Sequence, residues 1–207
     1  MVTNAPYYHF WLKDIDNVYI HDMEIYVDIW SQKDLHIAHG NWNFTASYPI
    51  FPLNTDGIDP SGTNVVIENV KITNYDDAVA VKPAHNNNKI ATCAQNITVN
   101  NATVINGVGM TIGSVPPSDN FACVRDVSFS NVVFWYPIKA IYVKTNPGNH
   151  GSGIIANIHY ENITMHYPIW WAIYIGPQQQ EQPDGVGPGC MLYPLVPVCE
   201  TQPRVPI

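Results

Sequence analysis

The chain is short of charge, and of positive charge most of all. Only 13% of its 207 residues are charged, and 9 Lys and Arg face 17 Asp and Glu, giving a net charge of -8. A protein that grips nucleic acid or anionic lipid needs the opposite balance, so neither is expected as a partner. No apolar run reaches the roughly 18 residues that a membrane-crossing helix requires. The four cysteines show no C-x-x-C spacing of the kind that holds zinc. Gly-rich phosphate loops and nucleophilic Ser or Cys constellations are missing too. Lys, Glu and Arg are scarce and no segment carries the apolar stripe of a helix period, which excludes a mainly helical protein. What remains is 46% hydrophobic residues, 17 Pro and 21 Asn. That is too apolar for a disordered chain and long enough for one domain over residues 1–207.

The strongest positive signal is self-similarity. Segments from Asn17 to Asp22, Asn64 to Asn69, Asn96 to Asn101, Asp126 to Asn131 and Asn157 to Asn162 each read [ND]-[VI]-x-[apolar]-x-[ND]. The last four recur with a period of about 31 residues, within the range of repeat architectures. A second series keeps the same period: Val79 to Val81, Met110 to Ile112, Ile141 to Val143 and Ile173 to Ile175. Each repeat holds at least two short runs of period-2 alternation, separated by Asn, Gly or Pro turns. Strands that recur once per repeat with no helix between them describe an all-β solenoid, a parallel β-helix. Inward positions are then Val79, Val81, Met110, Ile112, Ile141, Val143, Ile173 and Ile175. Ala80, Thr111, Tyr142 and Tyr174 form an outward column, with Lys82, Gly113, Lys144 and Gly176 beside it. The Asn residues that head the repeats are placed to stack into a ladder.

Cys93 and Cys123 stand one coil apart in sequence, so they are expected above one another within reach of a disulfide. Cys190 and Cys199 flank a Pro-rich loop and would close it. Sequons at Asn43, Asn96, Asn101 and Asn162 suggest glycosylation. The first residues have neither a basic region nor an apolar signal core. Together these features lead us to expect a secreted, extracellular chain that has lost its signal peptide and is incomplete at both ends. His36 and His39 have no third metal ligand nearby in sequence, and no metal or cofactor is expected.

Two acidic clusters stand out, one at Asn54, Asp56 and Asp59 and one at Asn74, Asp76 and Asp77. The interval from Asp56 to Asp76 is close to one short coil, so the clusters should lie side by side. Carboxyls packed together repel, and at least one pKa should rise. A raised carboxyl serves as a general acid while an ionised neighbour activates water. Taken singly, each cluster is equally compatible with ordinary turn chemistry.

Four motifs in order resemble glycoside hydrolase family 28, the polygalacturonases and rhamnogalacturonan hydrolases. They run from Asn54 to Asp59, Tyr75 to Lys82, Gly107 to Ser114 and Ala140 to Thr145, and the likeness extends over about residues 7 to 207. The resemblance implies a right-handed, single-stranded parallel β-helix and hydrolysis of pectin with inversion, without a cofactor. By the same resemblance Asp76 is the proton donor, Asp56 and Asp77 activate the water, and Asn54 helps hold the site. Lys144 and Tyr142 stand where the family places the basic pair that binds the substrate carboxylate. Two departures bear on specificity. Val108 replaces the His of a Gly-His-Gly, and Tyr142 replaces an Arg with its bidentate fork. Rhamnogalacturonan hydrolases depart similarly. Tyr142 and Tyr174 either stack on sugar rings or only cover the sheet.

The expectation is therefore a monomeric, secreted, polygalacturonase-like hydrolase that cleaves galacturonic-acid-containing polysaccharide. The alternatives are rhamnogalacturonan hydrolase-like specificity, or a non-catalytic β-helix that binds cell-wall polysaccharide. A pectate lyase on the same fold would need calcium and a basic proton abstractor.

Overall fold

The computed structural model describes residues 1–29, 54–83, 93–115, 121–145 and 152–176. Asn43, His36, His39, Cys190 and Cys199 lie outside the described residues.

The repeat motif has a conformational cause. Both ends of each copy sit in the left-handed region, with φ of 56° and 52° at Asn17 and Asp22, 57° and 55° at Asn64 and Asn69, and 54° and 52° at Asn96 and Asn101. Asp126, Asn131, Asn157 and Asn162 follow the same rule, with φ between 52° and 55°. Among residues with a Cβ, Asn and Asp tolerate this conformation best, which is why the motif begins and ends on them. The apolar residues between them point inward. Val65, Ile67, Ile97, Val99, Val127 and Phe129 are all buried.

A single left-handed residue turns the chain without ending it. The expected short strands of each repeat therefore run together as one long, bent strand. These are β2 (Phe10–Tyr26), β3 (Ile58–Asn74), β5 (Ala94–Asn106), β7 (Phe121–Trp135) and β9 (Ser152–His166). A short strand follows each of the last four: β4 (Asp77–Val81), β6 (Gly109–Val115), β8 (Ile141–Thr145) and β10 (Ile173–Gly176). A two-residue β1 (Val2–Thr3) precedes them. Every pairing is parallel. The long strands stack in the order β2, β3, β5, β7, β9, and the short ones in the order β4, β6, β8, β10, with β3 joining the two series. The chain is a right-handed parallel β-helix, the hand of about 98% of parallel strand crossovers.

The Asn ladder is present. Asn96 donates from Nδ2 to Asn64 Oδ1 at 2.7 Å, Asn101 to Asn69 at 2.8 Å and Asn162 to Asn131 at 2.6 Å. Three of the four sequon asparagines thus have an amide hydrogen committed to the neighbouring coil. Asn131 departs from the pattern by bonding Asn100 Oδ1 at 2.7 Å.

The core runs along the axis of the coil. Val79, Val81, Met110, Ile112, Ile141 and Val143 are buried as expected. Ile173 and Ile175 are not, at 58% and 64% exposed. Their strand, β10, ends the sheet among the described residues, and an inward side chain is covered only when a further coil stacks on it. Ala80, Thr111 and Tyr142 occupy the outward column yet are buried.

Cys93 and Cys123 form a disulfide across adjacent coils, with Cα atoms 4.4 Å apart. The bridge encloses one coil of chain. Replacing both cysteines with Ala should lower stability by about 2–4 kcal/mol, read from the urea midpoint of the variant against that of wild type. An unchanged midpoint would show that coil stacking alone holds this register.

Candidate active site

The stacking register brings the two acidic clusters together. Ile58 at the head of β3 pairs with Val79 in β4, so one short coil separates Asp56 from Asp77, as the spacing predicts. Gly57 permits the approach. Its N–H donates to the Asp77 carbonyl at 2.9 Å, and a Cβ there would stand 2.3 Å from the Ala78 carbonyl oxygen. Asp56, Asp76 and Asp77 each bring one oxygen within 4.8 Å of the others.

The turn between β3 and β4 is tied down by a residue that sequence reasoning passed over as part of a turn. Asn74 is fully buried, and its Nδ2 donates to the carbonyls of Thr55 at 3.0 Å, Asp76 at 2.9 Å and Asp77 at 2.9 Å. It therefore links both acidic turns through their backbones. Asp76 is held as well. Its Oδ2 accepts from the Asn54 backbone N–H at 2.8 Å, and its Oδ1 accepts from the Asp77 N–H at 2.8 Å. Asn54 meets Asp76 through its main chain, with a left-handed φ of 62°. The Val108 N–H donates to the Asp76 carbonyl at 2.8 Å, so that valine belongs to the turn stacked directly on Asp76.

Asp77 sits among cations. Lys144 Nζ lies 2.6 Å from Asp77 Oδ2, Lys82 Nζ lies 4.0 Å from the same atom, and Thr111 Oγ1 donates to Oδ1 at 2.7 Å. Burial works to raise the Asp77 pKa, but the Lys144 and Lys82 ammoniums outweigh it and hold the carboxyl below its ordinary value. The other two acids shift the opposite way. Burial, then the charge of Asp76, pushes Asp56 well up. Burial, then the charge of Asp77, pushes Asp76 up. Of the three, Asp76 is half-buried while Asp56 and Asp77 are 3% and 1% exposed. The arrangement sets one carboxyl biased towards its ionised form beside a more accessible neighbour biased towards its protonated form.

Four further groups belong to this cluster. Asp59, quoted in the sequence motif without a role, is fully buried and faces Lys82 at 3.4 Å. His9 accompanies Asp56, its Nδ1 lying 2.9 Å from the Asp56 carbonyl oxygen. That oxygen can only accept, so the proton is assigned to Nδ1. Burial lowers the His9 pKa, which keeps the ring neutral. Lys82 belongs to the outward column, where its ammonium meets Asp59 and Asp77. Lys139 left no signal in the sequence because it lies on the turn before β8 and outside every motif.

Tyr142 is placed differently from an open sugar platform. It is 3% exposed, with the Lys139 ammonium 3.8 Å and the Lys144 ammonium 4.7 Å from its ring centroid, and Tyr174 edge-on at 5.5 Å. Its ring receives the two ammoniums. Trp171 stacks on Tyr174 at 5.1 Å, in keeping with a packing role. A cation at this site would fall to Asp56, Asp76 and Asp77, but the Lys144 and Lys82 ammoniums already compensate Asp77.

Asp59 gives a stability test. Burial pushes its pKa up from 3.8 to about 6, against the pull of Lys82. The folded chain thus binds this proton more tightly than the unfolded chain. The stability so gained is complete below about pH 4 and is lost as pH rises through about 6. The D59N variant removes the buried charge while Lys82 keeps Asp77. Its melting temperature should gain on wild type as pH rises from 4 to 7, by the equivalent of about 2–3 kcal/mol. A difference that stays constant across this range would rule out titration of Asp59 there.

Comparison with known proteins agrees with this geometry. The profile of glycosyl hydrolases family 28 matches residues 1–181. A protein named probable exopolygalacturonase C from Aspergillus fumigatus is 30% identical over 161 residues, which cover 75% of this chain and 34% of that protein. A probable rhamnogalacturonase B from Aspergillus terreus is 32% identical over 111 residues, or 54% of this chain and 18% of that protein. The crystal structure of an endo-xylogalacturonan hydrolase from Aspergillus tubingensis superposes with a TM-score of 0.67 at 22% identity, covering 88% of this chain and 42% of that one. The chain spans about a third of the length of the exopolygalacturonase that it matches. With the matched profile running through most of its coils, the chain belongs to glycosyl hydrolases family 28.

Proposed function

We propose that this chain carries the active centre of a pectin-degrading glycoside hydrolase. It would cleave α-glycosidic bonds in galacturonic-acid-containing polysaccharide by acid/base chemistry with inversion. The observation that carries this reading is the convergence of Asp56, Asp76 and Asp77 with opposed pKa shifts. Asp76 holds a proton, has both oxygens oriented by backbone N–H groups, and is the most accessible of the three. It donates to the leaving-group oxygen. Asp77, kept ionised by Lys144 and Lys82, is the base that activates the attacking water, and Asp56 beside it helps to position that water. The relatives named for polygalacturonan and rhamnogalacturonan cleavage support a pectic substrate. The disulfide supports an oxidising compartment and so secretion. Rhamnogalacturonan is the second reading. It is favoured by Val108 on the turn above Asp76 and by Tyr142 in place of a forked guanidinium.

The D76N variant should release reducing ends from polygalacturonate or rhamnogalacturonan about 10²–10⁴-fold more slowly than wild type. Unchanged turnover would refute the assignment of the proton donor. Polysaccharide binding by wild type with no cleavage of either polymer would leave a non-catalytic binding β-helix instead. The kcat profile should be bell-shaped. Its acid limb should be set by Asp77, which titrates below the ordinary carboxyl value, and its alkaline limb by Asp76, which titrates above it. The acidic oxygens lie closer together than the roughly 6.5–9.5 Å usual for two carboxyls that invert. Proton NMR of the first product anomer is therefore the sharpest test of the roles, and retention would overturn them.

A further inference from the structure

The three acidic side chains of the site are not held alike. Both oxygens of Asp76 accept from backbone N–H groups, and those of Asp77 accept from Thr111 and Lys144. Asp56 is equally buried, yet its Oδ1 has no hydrogen-bond partner among the described residues. What holds Asp56 is its main chain. The peptide between Asp56 and Gly57 is pinned on both sides. Its N–H donates to the Asp77 carbonyl at 2.9 Å, and its carbonyl accepts from the coil before. Both donors on that earlier coil belong to His9, whose backbone nitrogen and ring Nδ1 each lie 2.9 Å from the Asp56 carbonyl oxygen.

The His9 ring makes no other hydrogen bond among the described residues. Its Nε2 is buried without a partner, a state that costs stability and that an apolar side chain of similar size would avoid. Burial keeps the imidazole neutral, so Nδ1 is its one donor. What the ring adds to the fold is therefore a single hydrogen bond, and the carbonyl that receives it belongs to an acid of the site. The register of the coils makes the contact. Phe10 pairs with Ile58 where β2 and β3 begin, which sets His9 against the turn that carries Asp56. A carbonyl held by two donors fixes the plane of its peptide more firmly than one held by a single donor. The direction of the Asp56 carboxyl is fixed with it, and the buried Oδ1 is an acceptor that a water beside Asp77 can use.

We propose that His9 is a positioning residue of this reaction, its Nδ1–H setting the Asp56 carboxyl so that Oδ1 accepts a hydrogen bond from the attacking water. This rests on the hydrolase reading and adds to it a residue from outside the acidic turns. His9 acts through Asp56 rather than on the sugar.

The test is a double-mutant cycle read by reducing-end release from polygalacturonate and rhamnogalacturonan. His9→Leu should lower kcat about tenfold and leave KM within about twofold. Tenfold is about 1.4 kcal/mol of barrier, the size of one hydrogen bond. His9→Asn places an amide N–H where Nδ1 stands and should recover most of the loss. His9→Gln places its amide where Nε2 stands and should lose as much as Leu, so it takes the place of the Leu variant if circular dichroism shows that variant unfolded. In the D56N background the carboxylate is already gone, and the same change at His9 should cost less than about twofold more. Unchanged kcat on replacing His9, no recovery with Asn, or an undiminished loss in the D56N background would each overturn the proposal. Wild type that cleaves neither polymer overturns the hydrolase reading and this proposal with it, whereas cleavage insensitive to His9 overturns this proposal alone.

Discussion

Each side chain of the site owes its place to the register between neighbouring coils. Parallel stacking sets equivalent residues about 4.8 Å apart, so a carboxyl on one coil meets a carboxyl on the next whether or not they attract. Ile58 opposite Val79 fixes that register at the acidic turns, and Gly57 lets the two backbones close. The cost of crowding Asp56, Asp76 and Asp77 is met elsewhere in the stack. Apolar packing from Val65 to Phe134 lies inside the coil, the Asn ladder lies on its edge, and the Cys93–Cys123 bridge joins two coils covalently.

The same register that creates the repulsion also supplies the compensation. Lys144 is far from Asp77 in sequence, yet its ammonium reaches that carboxylate. Thr111, from the coil between them, donates to the other oxygen. One carboxylate is thus stabilised as an anion by groups from two successive coils, while Asp56 and Asp76 receive no comparable cation contact among the described residues. Opposed protonation follows from the order of residues along the stack. A single-residue slip would turn Lys144 inward and leave Asp77 as an uncompensated buried charge.

Much of this was legible in the sequence because a solenoid turns spacing into position. The repeat period placed Val79, Met110 and Ile141 in one inward column and Thr111, Tyr142 and Lys82 on the opposite face. The interval of one short coil placed Asp56 against Asp76, and an interval of one full coil placed Cys93 over Cys123. What period alone leaves open is where an outward side chain goes next. For Tyr142 the spacing leaves both sugar stacking and covering of the sheet open, and in the structure two ammoniums and Tyr174 lie against its ring. Ile173 and Ile175 were assigned to the core by analogy with earlier coils, although interior positions are buried only between two coils. The positions taken up by Asn74, named in the second acidic cluster without a role, and by Lys139 are not legible for a shared reason. Each acts from a turn, where residue type is dictated locally and the role depends on which backbone or ring the next coil brings near.

The charge balance can now be located. An excess of 17 acidic over 9 basic residues looks unsuited to a polyanionic substrate, since the long-range interaction would be repulsive on average. Net charge, however, acts at a distance and is screened beyond about 8–10 Å in physiological salt. At contact range the composition differs. Lys82, Lys139 and Lys144 lie around Asp56, Asp59, Asp76 and Asp77, and two of these acids, Asp59 and Asp77, have an ammonium within 4.0 Å. Lys144 pairs with Asp77, and Lys82 with Asp59 and Asp77, in a buried setting where a pairing is worth far more than at the surface. The chain can therefore be acidic overall while its buried acidic turns lie much closer to local charge balance.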